Sequence, residues 1–222
     1  MAITNENISE VMDILRREIE KFRKPIVEVF SRKNPDPFKI LVATLLSART
    51  KDTITAKVID KLFGVVNGPE DFIKIDEERL ATLIYPIGFY RQKAKHLKEL
   101  SRQLLEKYNG KVPDTIEELI TLPGVGRKTA NLVLILGFNK DAICVDTHVH
   151  RIVNRWQYVN TKTPEETEME LRKKLPKKHW KEINRILVTF GQNICTPVNP
   201  KCESCPINKI CPYGERRLAN QT

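Results

Sequence analysis

Leu122-Pro123-Gly124-Val125-Gly126-Arg127-Lys128-Thr129-Ala130-Asn131 joins two helical patterns through a short turn. Ile116 to Thr121 reads as a short helix, and Lys128 to Leu136 as a second one. Two glycines flanking one valine permit backbone conformations that other residues resist. They also leave room for a phosphate beside main-chain N–H groups. The second helix aims its N-terminus at that phosphate, where the macrodipole and the first-turn N–H groups favour an anion. The pattern is a helix-hairpin-helix over about 115–137, a grip on a nucleic-acid backbone that carries no sequence information. Gly124, Val125, Gly126 and Arg127 are its gripping residues. An ordinary glycine-rich turn would read the same way, except that Arg127 and Lys128 stand at the wrong helix end for cations. A local rule broken in this way points to a functional site.

Outward from the hairpin, helical spacing is everywhere and alternating strand patterns are nearly absent, so the chain reads as all-α. Ile8, Val11, Met12, Leu15, Ile19 and Phe22 form one apolar stripe, and Trp180, Ile183, Leu187 and Phe190 another. Pro37 opens a helix whose Phe38, Leu41, Val42 and Leu45 face inward. Asp52 reads as a cap for a helix carrying Ile54, Val58, Ile59 and Leu62, and a further helix runs from about Phe89 to Lys107. Asp114 with Glu117, and Thr163 with Glu166, fit capping boxes.

The 222 residues carry a net charge of +10, which suits a polyanionic partner. The N-terminus is polar and no run of about 18 apolar residues occurs, so neither a signal peptide nor a membrane span is expected. The expected compartment is the reducing cytoplasm, where five cysteines do not read as a disulfide framework.

Lys128 has two readings: a point charge on a phosphate, or a nucleophile. An amine must be neutral to attack, and an ordinary lysine is neutral in roughly one molecule in a few thousand at pH 7. Burial, neighbouring cations and a helix N-terminus each favour the neutral form. A nucleophilic lysine would form a Schiff base at the sugar C1′, an intermediate open to β-elimination. Asp146 precedes the stripe of Val149, Ile152, Val153 and Trp156 and is a natural N-cap. The same fixed carboxylate suits stabilising positive charge on a sugar ring or accepting the amine proton. An ionised Asp146 beside Lys128 would hold the lysine protonated, so desolvation and the helix end must outweigh it, or proton transfer must follow substrate binding. His148 could be a base but reads more naturally as structural, as do His150 and Cys144.

Cys195, Cys202, Cys205 and Cys211 fall within 17 residues, spaced C-x6-C-x2-C-x5-C. Four thiols this close argue for a metal site, and spacing alone leaves zinc and an iron–sulfur cubane open. The segment holds little apolar material, so metal binding would supply much of its fold.

Together these pieces resemble the endonuclease III family of the helix-hairpin-helix glycosylase superfamily. The matching segments are Leu45-Leu46-Ser47-Ala48, Lys107 to Pro113, Leu122 to Asn131, Val145 to His148 and the four-cysteine tail. The resemblance implies a six-helix barrel lobe over 31–143 and an iron–sulfur lobe made of 1–30 with 144–222. It makes Lys128 the Schiff-base lysine and Asp146 the catalytic aspartate, one from each lobe across a cleft. It selects a [4Fe-4S] cluster over zinc, with Cys195, Cys202, Cys205 and Cys211 as ligands. The implied activity is that of a bifunctional DNA glycosylase and abasic-site lyase of base excision repair. It would act as a monomer on oxidised pyrimidines and abasic sites in duplex DNA, on the nucleoid if the cell is prokaryotic.

Arg49 and Phe89 fall where family members place residues that enter the duplex. Phe89 suits an apolar wedge, though a core aromatic at a helix start would read alike. Arg49 departs from the glutamine often found there. Thr196 to Lys201 holds a single cation, fewer than the family usually has. The run Arg172 to Lys181, with six Lys or Arg, reads as a solvated loop or as a compensating DNA contact. Two rivals remain: a monofunctional glycosylase for mismatched thymine or adenine, which generally lacks the lysine, and a non-catalytic iron–sulfur DNA-binding protein, which has no need of Lys128 with Asp146.

Overall fold

The computed structural model describes residues 2–219. Among these the chain forms thirteen α-helices and no strand. It divides into two units, one spanning Ile26–Lys140 and the other joining the N-terminal residues through Pro25 to Asp141 onward. The sequence reading placed these divisions at Ser31 and Ile143. The shift has a physical cause: the helix opening at Ile26 packs within the first unit, and Ile143 is buried in the core of the second.

The chain begins with α1 (Ile8–Ile19), which belongs to the second unit. The Ile26–Lys140 unit follows, with α2 (Ile26–Lys33), α3 (Pro37–Ser47), α4 (Asp52–Phe63), α5 (Pro69–Lys74), α6 (Glu77–Ile84), α7 (Tyr90–Tyr108), α8 (Ile116–Leu119) and α9 (Arg127–Phe138). Of these eight helices, α5 and α8 have fewer than eight residues. Asp36 caps α3, its Oδ1 accepting from Phe38 N at 2.8 Å, with Pro37 in the first position. Every residue from Ile40 to Leu46 is buried, which makes α3 the centre of the unit. Helices α2, α4, α7 and α9 all pack on it. Gly137 lets α9 approach closely, since a Cβ there would stand 3.3 Å from the Pro37 Cα.

Two expected caps move by one residue. Asp52 is the first residue of α4 rather than its cap, and its Oδ2 accepts from Ile26 N at 3.0 Å to hold the start of α2. Thr115 rather than Asp114 caps α8, while Asp114 pairs with Lys140 at 2.7 Å.

The second unit contains α10 (Thr147–Arg155), α11 (Pro164–Lys174), a 3-10 turn at Lys177–His179, α12 (Ile183–Asn193), a 3-10 turn at Asn208–Ile210 and α13 (Pro212–Ala219). Helix α12 packs against α1 and α10. The stripe of α1 is buried at Ile8, Val11, Met12, Leu15 and Ile19, each worth about 1.5–3 kcal/mol of burial. Thr163 caps α11, accepting from Glu166 N at 3.2 Å. Trp180 stands before α12 rather than on it, and its Nε1 donates to Leu175 O at 2.8 Å. The basic run is no single solvated loop: Arg172 to Lys174 close α11, Arg172 pairs with Glu168 at 2.9 Å, and Lys174 donates to Tyr158 O at 2.6 Å. Among the described residues, no helix is long and apolar enough to cross a membrane.

Candidate active site and cluster loop

The hairpin is built from local rules. Val125 N donates to Leu122 O at 3.1 Å, closing the turn. Gly124 sits at φ +77, and a Cβ there would lie 2.9 Å from His96 Nδ1, so glycine is required on both counts. Gly126 is different. Its backbone is extended, and a Cβ built on it would meet nothing within 4 Å. Gly126 thus faces open space at the residue that precedes α9. Val125 is buried. Arg127 and Lys128 form the acid-free first turn of α9. Lys128 is exposed.

Asp146 caps α10 as expected and is buried. Its Oδ1 accepts from His148 N at 2.9 Å and from Val149 N at 3.0 Å. His148 is tied through Nδ1 to Arg151 Nη2 at 3.1 Å. The same Nη2 donates to Gly191 O at 3.2 Å and to Cys195 O at 2.9 Å. Gly191 makes this approach of α10 to α12 feasible, because a Cβ there would lie 2.7 Å from His148 Nδ1. His150 bonds Thr167 Oγ1 at 2.7 Å, a structural role. Cys144 is buried, and its carbonyl accepts from Asn184 Nδ2 at 3.2 Å.

Forty residues apart in sequence, Arg49 and Phe89 come together. The Arg49 guanidinium lies over the Phe89 ring, 4.8 Å from its centroid. Phe89 is 57% exposed, which excludes the core-aromatic reading. Both residues adopt left-handed backbone, at φ 56 and φ 58. Lys93, which the sequence did not single out, clamps the end of α3 to α7: its Nζ donates to Leu46 O at 3.1 Å and Ala48 O at 2.5 Å. Burial pushes the Lys93 amine down to about 8. A lone lysine on an amphipathic helix gives no sequence signal of such a contact.

Cys195, Cys202, Cys205 and Cys211 line one pocket, walled by Trp156, Phe190, Ile194, Ile207 and Tyr213. Burial pushes the Cys205 thiol up to about 12. Four thiols lining one pocket are the donor set that a metal–sulfur centre requires. Backbone N–H groups point at the sulfurs as well, from Ile207 to Cys205 and from Tyr213 and Gly214 to Cys211. Arg155 Nη1 donates to Cys195 Sγ at 3.2 Å, and its guanidinium lies 4.3 Å from the centre of the Tyr213 ring.

A helical hairpin that presents open amides, together with four thiols around a cavity, defines a class of DNA-repair protein. The family model for HhH-GPD superfamily base excision DNA repair proteins matches residues 42–177, and that for the iron–sulfur binding domain of endonuclease III matches residues 195–211. The chain belongs to the endonuclease III family within that superfamily. Endonuclease III of Thermotoga maritima is 52% identical over 201 residues, covering 90% of this chain and 94% of that protein. A solved non-covalent endonuclease III–DNA complex matches with TM-score 0.87 at 35% identity, covering 98% of this chain and 99% of that one. A trapped endonuclease III–DNA covalent intermediate with an estranged adenine matches with TM-score 0.85 at 34% identity, covering 97% and 99%. The cofactor is a [4Fe-4S] cluster.

Proposed function

We propose that this base excision repair glycosylase and lyase removes oxidised pyrimidines from duplex DNA through a Schiff base on Lys128. The observation that carries the reading is the unobstructed Gly126 at the N-cap of α9, followed at once by Arg127 and Lys128. A phosphate at the hairpin amides would set the register of the strand. The flipped nucleotide, rather than the protein interior, then excludes water from the Lys128 amine. The neutral amine attacks C1′, the C1′–base bond breaks, and the base leaves with its electron pair and a proton. The ring opens to a protonated Schiff base, and loss of a C2′ proton expels the 3′ phosphate by β-elimination. Asp146, held by its two amide bonds, stabilises positive charge on the sugar and takes the proton that the amine releases.

Cys195, Cys202, Cys205 and Cys211 would hold the cluster, which supplies the fold of the 195–211 segment. Arg49 and Phe89 would fill the gap that flipping leaves. The protein would act as a monomer, in the cytoplasm.

Borohydride trapping on an abasic-site duplex tests the reading. Wild type should give a covalent adduct that Lys128→Ala abolishes. A wild-type protein that gives none would remove the lyase assignment.

A further inference from the structure

We propose that this chain carries a second nucleophilic site: Ser9, activated by His179 and Glu182, is acylated by activated carboxylic esters. The three residues come from the first turn of α1 and from the 3-10 turn that leads into α12, within one unit of the chain. Ser9 Oγ lies 3.1 Å from His179 Nε2, and His179 Nδ1 lies 2.8 Å from Glu182 Oε1. Both distances are those of a nucleophile, its base and the group that orients the base. Such a constellation is recognised by geometry and role rather than by order in the chain.

The bonds fix the tautomer. Arg16 grips the Glu182 carboxylate through Nε at 3.0 Å and Nη2 at 2.6 Å, and with His179 it holds that group ionised. An ionised carboxylate only accepts, so Nδ1 carries the imidazole proton. Nε2 then offers a lone pair, and the Ser9 hydroxyl donates to it. In that arrangement a histidine can take the proton of a serine. His179 is 2% exposed, so bulk water does not compete for Nε2, whereas Ser9 is only half-buried and within reach of a reagent. Among the described residues nothing accepts from Ser9 N or Glu10 N, and amides of a first helical turn favour the negative charge that develops on an acyl oxygen. His179 takes the Ser9 proton as Oγ bonds to the ester carbonyl carbon. The bond from that carbon to the alcohol oxygen breaks, and the alcohol leaves with the proton returned by His179. Water, activated by the same imidazole, then hydrolyses the acyl-serine to the carboxylic acid and restores the hydroxyl.

The test treats the full chain, with its cluster, with p-nitrophenyl acetate and separately with a fluorophosphonate, and maps the adducts by mass spectrometry. Ser47 is the internal control: it is half-buried like Ser9, but its hydroxyl donates to Thr44 O. Wild type should acquire the adduct on Ser9 about 100-fold or more faster than on Ser47, the scale of general-base assistance. Ser9→Ala should lose that adduct yet still trap on an abasic-site duplex, since Ser9 has no part in the DNA chemistry. His179→Gln should slow the Ser9 reaction by about 100-fold or more. Wild type in denaturant makes the same comparison if this buried substitution fails to fold. Glu182 is a positioning residue, and Glu182→Gln should move the pH midpoint of the rate downward, because the imidazole loses the carboxylate that favours its second proton. The other charged groups beside His179, namely Asp13 and Arg16 on α1 and Lys178 in the turn, stay in place in that variant. No adduct on Ser9, a rate no faster than at Ser47, an equal rate in the unfolded chain or an unmoved midpoint in Glu182→Gln would overturn the proposal.

Discussion

Arg155 donates from Nη1 to the sulfur of Cys195 at 3.2 Å, and the same guanidinium holds the carbonyls of Thr196 and Pro197 at 2.8 and 2.9 Å. One side chain from α10 thus fixes the first cysteine and the loop beyond it. Arg155→Met should remove three hydrogen bonds, on the order of 3 kcal/mol. The variant should fold but lose iron faster on exposure to oxygen, and its cluster potential should shift because an N–H to a ligand sulfur is gone. Iron content over time and a redox titration check this; unchanged values on both would contradict it.

Asp146 combines a cap with proposed chemistry, and two substitutions separate the roles. Asn caps as well as Asp, whereas Ala loses about 1 kcal/mol, or roughly 2–4 °C in Tm for a chain of this size. Asp146→Asn should keep the wild-type Tm and lose most glycosylase turnover. Asp146→Ala should lose both. Calorimetry with single-turnover kinetics decides, and full activity in Asp146→Asn would rule out a role for the carboxylate charge.

Lys93 touches neither hairpin nor cysteine, yet it clamps the end of α3 that leads into Arg49. Lys93→Met should weaken binding to an abasic-site duplex by about tenfold, the scale of one charge-assisted hydrogen bond. Lys93→Arg should restore it. A fluorescent base analogue opposite the abasic site should report less insertion in the Met variant; an identical signal would show that the clamp is dispensable.

Glu182 links α1 to the 3-10 turn before α12. Its carboxylate accepts from Arg16 Nε at 3.0 Å and bonds His179 Nδ1 at 2.8 Å. Burial works against its ionisation, but the bonds from Arg16 and His179 prevail and hold it below the ordinary 4.5. For a carboxyl lowered in the folded state, the contribution is complete above the unfolded value and disappears as pH falls through the folded one. The Tm difference between wild type and Glu182→Gln should be largest near pH 7 and shrink below about pH 4.5. A constant difference down to pH 3 would exclude the linkage.

The parts of the fold legible in sequence were those governed by neighbours in the chain. Gly124, Thr163 and the α1 stripe obey rules that act over three or four residues, and each behaves in the structure as expected. Asp52 and Asp114 misled because each has a partner far away, Ile26 N and Lys140. The helices α2, α5, α6 and α13 have eight residues or fewer, too few turns for a periodic signal. At the site, the hairpin and the cysteines could be read from spacing, and Asp146 from its capping position. The Arg49–Phe89 contact could not, since nothing local shows that a loop after α3 meets the start of α7.

The continuous unit Ile26–Lys140 interrupts the other one, and this orders events on the ribosome. Ile26–Lys140 emerges whole and can fold at once. Helix α1 emerges first yet must wait for α12, whose last residue is Asn193. At about 5–20 residues per second, its apolar stripe stays uncovered for roughly ten to forty seconds. The four cysteines follow only after that, so iron reaches a chain whose hairpin unit is already complete. A nascent chain stalled near Asn193 is therefore the stage at which a chaperone should find α1.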